Sequence, residues 1–203
     1  MRLKVGVPFI DDFLKDCFNS GEITTLYGPA ATGKTLLCLM LAKSASKIGK
    51  VIYVDSEMEF PIERFKQIDD DWEEDLKNIF ILKPKSFSEQ KKIVFSLKPK
   101  KVSAVIIDSI TKYYATEDYP LKDLERQLLV MKKVARENNI PIIITSRVFT
   151  NPDKKTTHTY GENVIRLYSK RLIGLMRVKK GIKMEYKGKN VFFRIAEKGI
   201  IPL

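Results

Sequence analysis

Short apolar runs alternate with amphipathic segments along roughly the first 145 residues of the chain. The runs typical of buried strands lie at 22–27, 51–55, 79–82, 102–107 and 141–145. Between the last two, Leu121 to Asn138 carries apolar residues at helical spacing, and an earlier helix is predicted from Ser86 to Leu97 with Ser86 as its cap. Strands that alternate with helices predict a mostly parallel central sheet flanked by helices.

The pattern changes after Gly161. Short apolar runs at 172–178, 182–186 and 191–195 are separated by the turn sequences Lys179-Lys180-Gly181 and Lys187-Gly188-Lys189-Asn190. This spacing predicts antiparallel hairpins at the C-terminal edge of the sheet. Residues 149–163 show no apolar periodicity and are expected to form a loop. The length favours a single domain over residues 1–203.

One motif lies between the first strand and the helical segment Leu36 to Ala45. It reads Gly28-Pro29-Ala30-Ala31-Thr32-Gly33-Lys34-Thr35, a complete GxxxxGKT pattern in the strand, loop and helix context that a phosphate-binding loop requires. Glycines let the backbone turn so that its N–H groups, up to Leu36 at the helix N-terminus, surround a polyphosphate. Lys34 is predicted to contact the β and γ phosphates, and Thr35 to ligate Mg²⁺.

Two carboxylates follow later strands. Asp108 ends the strongly apolar strand at 102–107, where a second magnesium-side carboxylate is expected, although any strand can end in Asp at a turn. Glu57 follows the strand at 51–55 and is the candidate base for the attacking water, with a capping or solvent-facing role as the alternative. The chain has no Asn-Lys-x-Asp motif for guanine, so ATP with Mg²⁺ is the expected nucleotide.

Positive charge is concentrated at the C-terminal end of the chain. The formal net charge is +12, and residues 141–203 alone contain fourteen basic and four acidic residues. This asymmetry indicates a polyanionic partner, with nucleic acid ahead of a membrane surface; a basic surface suited to high salt or temperature is the alternative. The candidate DNA contacts are Tyr113, Tyr114, Lys154, Lys155, Tyr160, Arg166, Lys179 and Lys180. For 149–163, a merely solvated loop is equally consistent with the sequence.

Other chemistry has little support in the sequence. Cys17 and Cys38 cannot form a metal site alone, and the single histidine, His158, lies in a polar segment. No stretch approaches the ~18 apolar residues of a membrane span, so a cytoplasmic location without membrane contact is expected.

Four segments, in order and spacing, resemble the ATPase core of the RecA/RadA recombinase family, most closely its short archaeal paralogues. They are GPAATGKT, GKVIYVDSEMEFPIERF, AVIIDSI and IPIIITSRV. The resemblance covers nearly the whole chain and implies a RecA-like P-loop ATPase core. It implies Glu57 as the catalytic glutamate, Asp108 as the magnesium-side aspartate and Arg64 as the side chain that stacks on adenine. The segments after Tyr113 and Phe149 would be the DNA-binding loops.

Three departures from the family pattern change the expected activity. No helix-hairpin-helix domain is expected before the core, Met58 stands where the family has a glycine, and Arg147 stands where it has the glutamine that senses the γ-phosphate. Arg147 remains a candidate nucleotide-binding cation, but it offers no carbonyl acceptor to a water. We therefore predict slow ATP hydrolysis that DNA hardly stimulates.

The resemblance implies an accessory protein of homologous recombination and repair without strand exchange of its own. Its expected partners are single-stranded or branched DNA, the main recombinase and a Holliday-junction resolvase, and a homodimer is one assembly it allows. The alternatives are a fully active DNA-dependent ATPase or recombinase, and a small-molecule phosphotransferase using the same loop.

Overall fold

The computed structural model describes residues 1–115, 119–151 and 156–203. Its helices are α1 (Pro8–Phe13), α2 (Lys34–Ser46), α3 (Ile62–Ile68), α4 (Trp72–Lys77), α5 (Phe87–Phe95), α6 (Leu121–Asn138) and α7 (Glu162–Tyr168), with a 3₁₀ turn at Tyr113–Ala115. Its strands are β1 (Ile23–Gly28), β2 (Lys50–Asp55), β3 (Ile79–Leu82), β4 (Val102–Asp108), β5 (Ile142–Asn151), β6 (Thr156–Thr159), β7 (Arg171–Val178), β8 (Gly181–Tyr186), β9 (Lys189–Ala196) and β10 (Gly199–Pro202).

The strands form one sheet in the order β10-β9-β8-β7-β1-β5-β4-β2-β3, and β6 pairs with β5. Of the described strands, six run parallel to one another, namely β7, β1, β5, β4, β2 and β3. The strands β7, β8, β9 and β10 pair antiparallel, each with the next. The predicted α/β fold with C-terminal hairpins is therefore confirmed. Because the parallel strands end at one edge, residues that follow β1, β2, β4, β5 and β7 are brought together there.

Helices cover both faces of the parallel part of the sheet. Alternate β4 residues enter opposite apolar clusters: Ala104 and Ile106 pack with α2, and Val105 and Ile107 pack with α5 and α6. Helix α2 is buried along most of its length, because it lies between the sheet and the helices α1, α3 and α4. Helix α6 has the single buried face predicted from its spacing. Among the described helices, none has the length and apolar character needed to cross a membrane.

The described residues among 149–163, which are 149–151 and 156–163, are more regular than predicted. Strand β5 continues to Asn151 and pairs with β6, with Val148 opposite Thr159 and Thr150 opposite Thr157, and α7 begins at Glu162. Backbone pairing between threonine-rich strands needs no apolar alternation, so periodicity could not reveal it. The acidic stretch 69–75 also contains the start of α4, and β10 was not predicted.

Candidate nucleotide-binding site

The phosphate-binding loop connects the end of β1 to the start of α2. A Cβ on Gly28, which has φ +155°, would lie 2.2 Å from the Leu175 carbonyl oxygen, so a side chain is excluded there. Gly33 has φ +89° and precedes the first residue of α2. Between them Thr32 is buried and donates a hydrogen bond to the Pro29 carbonyl at 2.9 Å. The backbone thus has the tight turn that the motif predicts.

Lys34 lies folded over this loop. Its Nζ donates to the carbonyl oxygens of Gly28 at 2.8 Å and Pro29 at 2.7 Å, and the side chain lines a cavity of about 310 Å³. Burial lowers the pKa of Lys34, and the nearby Asp108 carboxylate partly opposes that effect. Phosphate oxygens are stronger hydrogen-bond acceptors than neutral carbonyls. The Lys34 ammonium would therefore bind an anionic ligand more strongly than it binds these two carbonyl oxygens.

Asp108 and Thr35 meet at the floor of the same cavity. The Thr35 hydroxyl donates to Asp108 Oδ2 at 2.7 Å, the Thr145 hydroxyl to Oδ1 at 2.5 Å, and the Tyr53 hydroxyl to Oδ2 at 3.2 Å. Burial raises the pKa of Asp108, while these three hydrogen bonds act in the opposite direction. A hydroxyl and a carboxylate in contact beside a phosphate-binding loop are oxygen donors suited to Mg²⁺.

Glu57 is held by three donors rather than exposed to water. Ser109 Oγ donates to Glu57 Oε1 at 2.9 Å, Lys112 Nζ lies 3.0 Å from Oε2, and the Arg147 guanidinium donates to that same Oε2. Asp55 and Asp108 are paired across β2 and β4, so Glu57, two residues after β2, reaches the cavity beside Asp108. The candidate base is therefore in place but ion-paired.

Met58, which stands where the resemblance expects a glycine, has a left-handed backbone conformation. Its φ is +65°, in the left-handed region that costs a side-chain-bearing residue about 1–2 kcal/mol. The Met58 side chain is exposed, and the Asp55 carboxylate closes the turn by accepting the Phe60 N–H at 2.8 Å. The substitution is therefore tolerated at a cost in backbone strain.

A second cavity, of about 350 Å³, lies beside the first residues of α2. Arg64 lines it together with Arg177 and Ile195. The Arg64 guanidinium donates to the carbonyl oxygens of Ala196 at 2.6 Å and Glu197 at 2.8 Å. The turn between β9 and β10 thus fixes this cation next to the loop, where the resemblance expects the adenine base.

One predicted DNA contact is wrong in this structure, because Tyr114 is buried. Its ring meets Phe87 edge-on and stacks on Tyr160 with centroids 4.9 Å apart, and its hydroxyl accepts from Gln127 Nε2 at 3.2 Å. Tyr114 therefore belongs to the core beneath α6, where it cannot stack on a base.

The other candidate DNA contacts are distributed over the carboxyl edge and α7. Tyr113 donates to the Pro84 carbonyl and Tyr160 to the Tyr119 carbonyl, so both hydroxyls are engaged within the protein. Arg166, on α7, forms an ion pair with Glu162. Lys179 and Lys180 are exposed in the turn after β7, at the same edge of the sheet as the phosphate-binding loop. Lys154 and Lys155 lie outside the described residues.

Several residues of the site were missed by sequence reasoning. They are Tyr53, Ser109, Lys112, Thr145, Arg177 and Ile195. A weak signal existed for two of them: Thr145 is the polar end of an isoleucine run, and Ser109 directly follows Asp108. The others reach the site only through the pairing of distant strands.

A phosphate-binding loop after the central strand, with carboxylates at the ends of β2 and β4, is the arrangement of the RecA-like ATPase class. The chain belongs to the Rad51 family, whose model matches residues 1–201. It is similar to the DNA repair and recombination protein RadB of Pyrococcus abyssi, with 31% identity over 98% of this chain and 93% of that protein. The RadB protein of Thermococcus kodakarensis is 32% identical over 98% of each. A crystal structure of the RadB recombinase superposes with a TM-score of 0.84, at 31% identity and 99% coverage of both chains. The resemblance to recombinases is thus confirmed.

Proposed function

We propose that this chain is an ATP-binding and DNA-binding accessory protein of homologous recombination and repair. Its ATPase activity is weak and little stimulated by DNA, and it performs no strand exchange of its own. Membership of the Rad51 family and the similarity to RadB support the role in recombination and repair. The observation that supports weak ATP hydrolysis is the ion pair between Glu57 and Arg147.

ATP would bind with its phosphates in the loop from Gly28 to Leu36. Lys34 would transfer its hydrogen bonds from loop carbonyls to the β and γ phosphates, and Arg64 would stack on the adenine. Thr35 and Asp108 would hold Mg²⁺, which when bound neutralises charge that develops on the phosphates. These residues line adjoining cavities, which supports binding of one extended nucleotide across both.

ATP hydrolysis would be slow because the candidate base, Glu57, is surrounded by hydrogen-bond donors and cations. Glu57 would accept a proton from the attacking water, but its carboxylate is already engaged with Ser109, Lys112 and Arg147. Arg147 keeps its positive charge in every nucleotide state and can only donate hydrogen bonds. It can therefore attract a γ-phosphate without orienting the water.

DNA would bind at the basic carboxyl edge of the sheet through Lys179 and Lys180, and at α7 through Arg166. The surplus of positive charge in residues 141–203 supports an electrostatic contact with single-stranded or branched DNA. We further propose a single domain over 1–203 that forms a homodimer and regulates the main recombinase or the resolvase at junctions.

A titration of labelled single-stranded and duplex DNA, with and without Mg-ATP over a salt series, tests this function. ATP affinity is measured separately for the wild type, Lys34→Ala and the control Lys100→Ala, whose side chain is exposed before the start of β4, at the opposite edge. Lys34→Ala should weaken ATP binding at least about tenfold and remove any ATP effect on DNA binding, because the phosphates lose their main cation. Absence of DNA binding at low salt, or strong DNA stimulation of ATPase, would contradict the proposal.

A further inference from the structure

Lys112 completes a cluster of charges around Glu57 that the family resemblance does not predict. Its Nζ lies 3.0 Å from Glu57 Oε2, the oxygen that also accepts from Arg147, while Ser109 Oγ donates to Oε1 at 2.9 Å. Glu57 follows β2, Lys112 follows β4, and Arg147 lies within β5. Three neighbouring strands therefore each bring one charged side chain to the same point.

This cluster is more enclosed than an ordinary surface ion pair. The side chains of Glu57, Lys112 and Arg147 are 16%, 31% and 42% exposed, whereas both members of the Lys77–Glu74 pair are more than half exposed. Fully exposed pairs are weakened by water and by side-chain entropy, and contribute little. Partial enclosure strengthens the attraction between Glu57 and its two cations.

The arrangement opposes general-base catalysis. A carboxylate has about four acceptor positions, and three of those on Glu57 are occupied. The two cations share one oxygen, so a water that donates there must first displace an ion pair. A base must also lie within hydrogen-bond reach of the proton it abstracts.

We propose that Lys112 is a positioning residue that, together with Arg147, restrains Glu57 and so limits ATP turnover. The inference rests on the proposed function, since it concerns how the same site hydrolyses ATP. Lys112 acts through Glu57 and need not touch the nucleotide: among the residues that line the phosphate cavity, Arg147 and Glu57 are present and Lys112 is not.

The test compares turnover with ATP affinity in a set of matched variants. Lys112→Gln removes the charge and should raise kcat about tenfold, which is less than the roughly 10²–10⁴-fold that a general base contributes to the rate. The dissociation constant for ATP should change less than about twofold. Lys112→Arg keeps the cation and should keep turnover low. Lys122→Gln, on the exposed start of α6, is the charge-matched control.

A second pair of variants separates this role from a purely structural one. Arg147→Gln should also raise kcat, because it releases the same Glu57 oxygen. Adding Glu57→Gln to Lys112→Gln should abolish the gain, because the gain passes through Glu57. If Lys112→Gln fails to fold by circular dichroism, Lys112→Met, which preserves the aliphatic stem, has the same expected effect.

The outcomes distinguish the two proposals. Unchanged or lower turnover in Lys112→Gln, with ATP binding retained, would overturn the restraint by Lys112 and leave the proposed function intact. A gain that survives Glu57→Gln would overturn it as well. If the wild type does not bind Mg-ATP, the proposed function is wrong and the restraint is wrong with it.

Discussion

Gln127 lies at the centre of a buried chain of hydrogen bonds that joins the nucleotide site to the core beneath α6. Ser56, which precedes Glu57, donates to Gln90 Oε1 at 2.8 Å, and Gln90 Nε2 donates to Gln127 Oε1 at 3.2 Å. Gln127 Nε2 then donates to the Tyr114 hydroxyl at 3.2 Å. Gln90 and Gln127 are fully buried, so water cannot replace any lost partner.

The substitution Gln127→Leu should destabilise the protein by a predictable amount. Leucine has nearly the volume of glutamine, so little cavity is created and the main loss is polar. The Tyr114 hydroxyl loses its donor from Gln127. The Gln90 amide nitrogen keeps only its bond to the Ile110 carbonyl, so that one of its N–H groups is unpaired. An unsatisfied buried group costs about 1–3 kcal/mol. We therefore expect the free energy of unfolding to fall by about 2–4 kcal/mol, a large share of a typical total of about 5–15 kcal/mol.

A double-mutant cycle in urea measures whether these side chains act as a unit. Gln90→Leu alone should cost a similar amount, but the double variant should cost about 1–2 kcal/mol less than the sum, because the bond between the two amides is lost only once. Gln67→Leu, at an exposed position, is the control and should change stability by less than about 0.5 kcal/mol. A cost below about 1 kcal/mol for Gln127→Leu, or an additive cycle, would refute the network.

Two further predictions concern the carboxyl edge of the sheet. Asp108→Asn should abolish Mg-dependent hydrolysis and give the variant an advantage in unfolding free energy over the wild type that is larger at pH 7 than at low pH, because burial raises the pKa of Asp108 and disfavours its charged form in the fold. Urea titrations should show this advantage shrinking as the pH falls through the raised pKa and vanishing below that of an unfolded aspartate, about 3.9; an advantage independent of pH would contradict it. Lys179→Gln with Lys180→Gln should weaken single-stranded DNA binding and reduce the salt slope by about 1.4, from two phosphate contacts. The charge-matched pair Lys98→Gln with Lys100→Gln, at the opposite edge, should not, and equal losses in both would indicate unspecific attraction.

The parts of the site that follow directly from a strand could be predicted from the sequence. Gly28 to Thr35 needs only a strand before it and a helix after it, and Asp108 needs only the strand that it ends. Parallel strands then bring these residues to one edge without further information. The C-terminal hairpins could likewise be predicted, because clusters of glycine and lysine separate the alternating apolar runs.

What could not be predicted depends on side-chain direction and on pairing between distant strands. Tyr114 follows a strand end in a polar-looking segment, yet its ring turns into the core and its hydroxyl finds a buried amide. Lys112 and Glu57 are 55 residues apart in sequence, and only the pairing of β2 with β4 makes them neighbours. The pattern of apolar and polar residues in one sequence shows neither the direction of a side chain nor the pairing of distant strands.

The restraint on Glu57 also links the nucleotide site to the two segments that the resemblance assigns to DNA. Lys112 directly precedes the 3₁₀ turn at Tyr113–Ala115, and Arg147 lies in β5 shortly before it pairs with β6. The Glu57 carboxylate thus forms an ion pair with one cation just before each segment, Lys112 before the first and Arg147 before the second. An anionic ligand that attracts Arg147 or Lys112 competes with Glu57 for that cation, and this competition favours a weaker contact between the segment and Glu57. Under the proposed restraint, a nucleotide in the phosphate cavity would therefore alter the contacts of the two segments that the resemblance assigns to DNA.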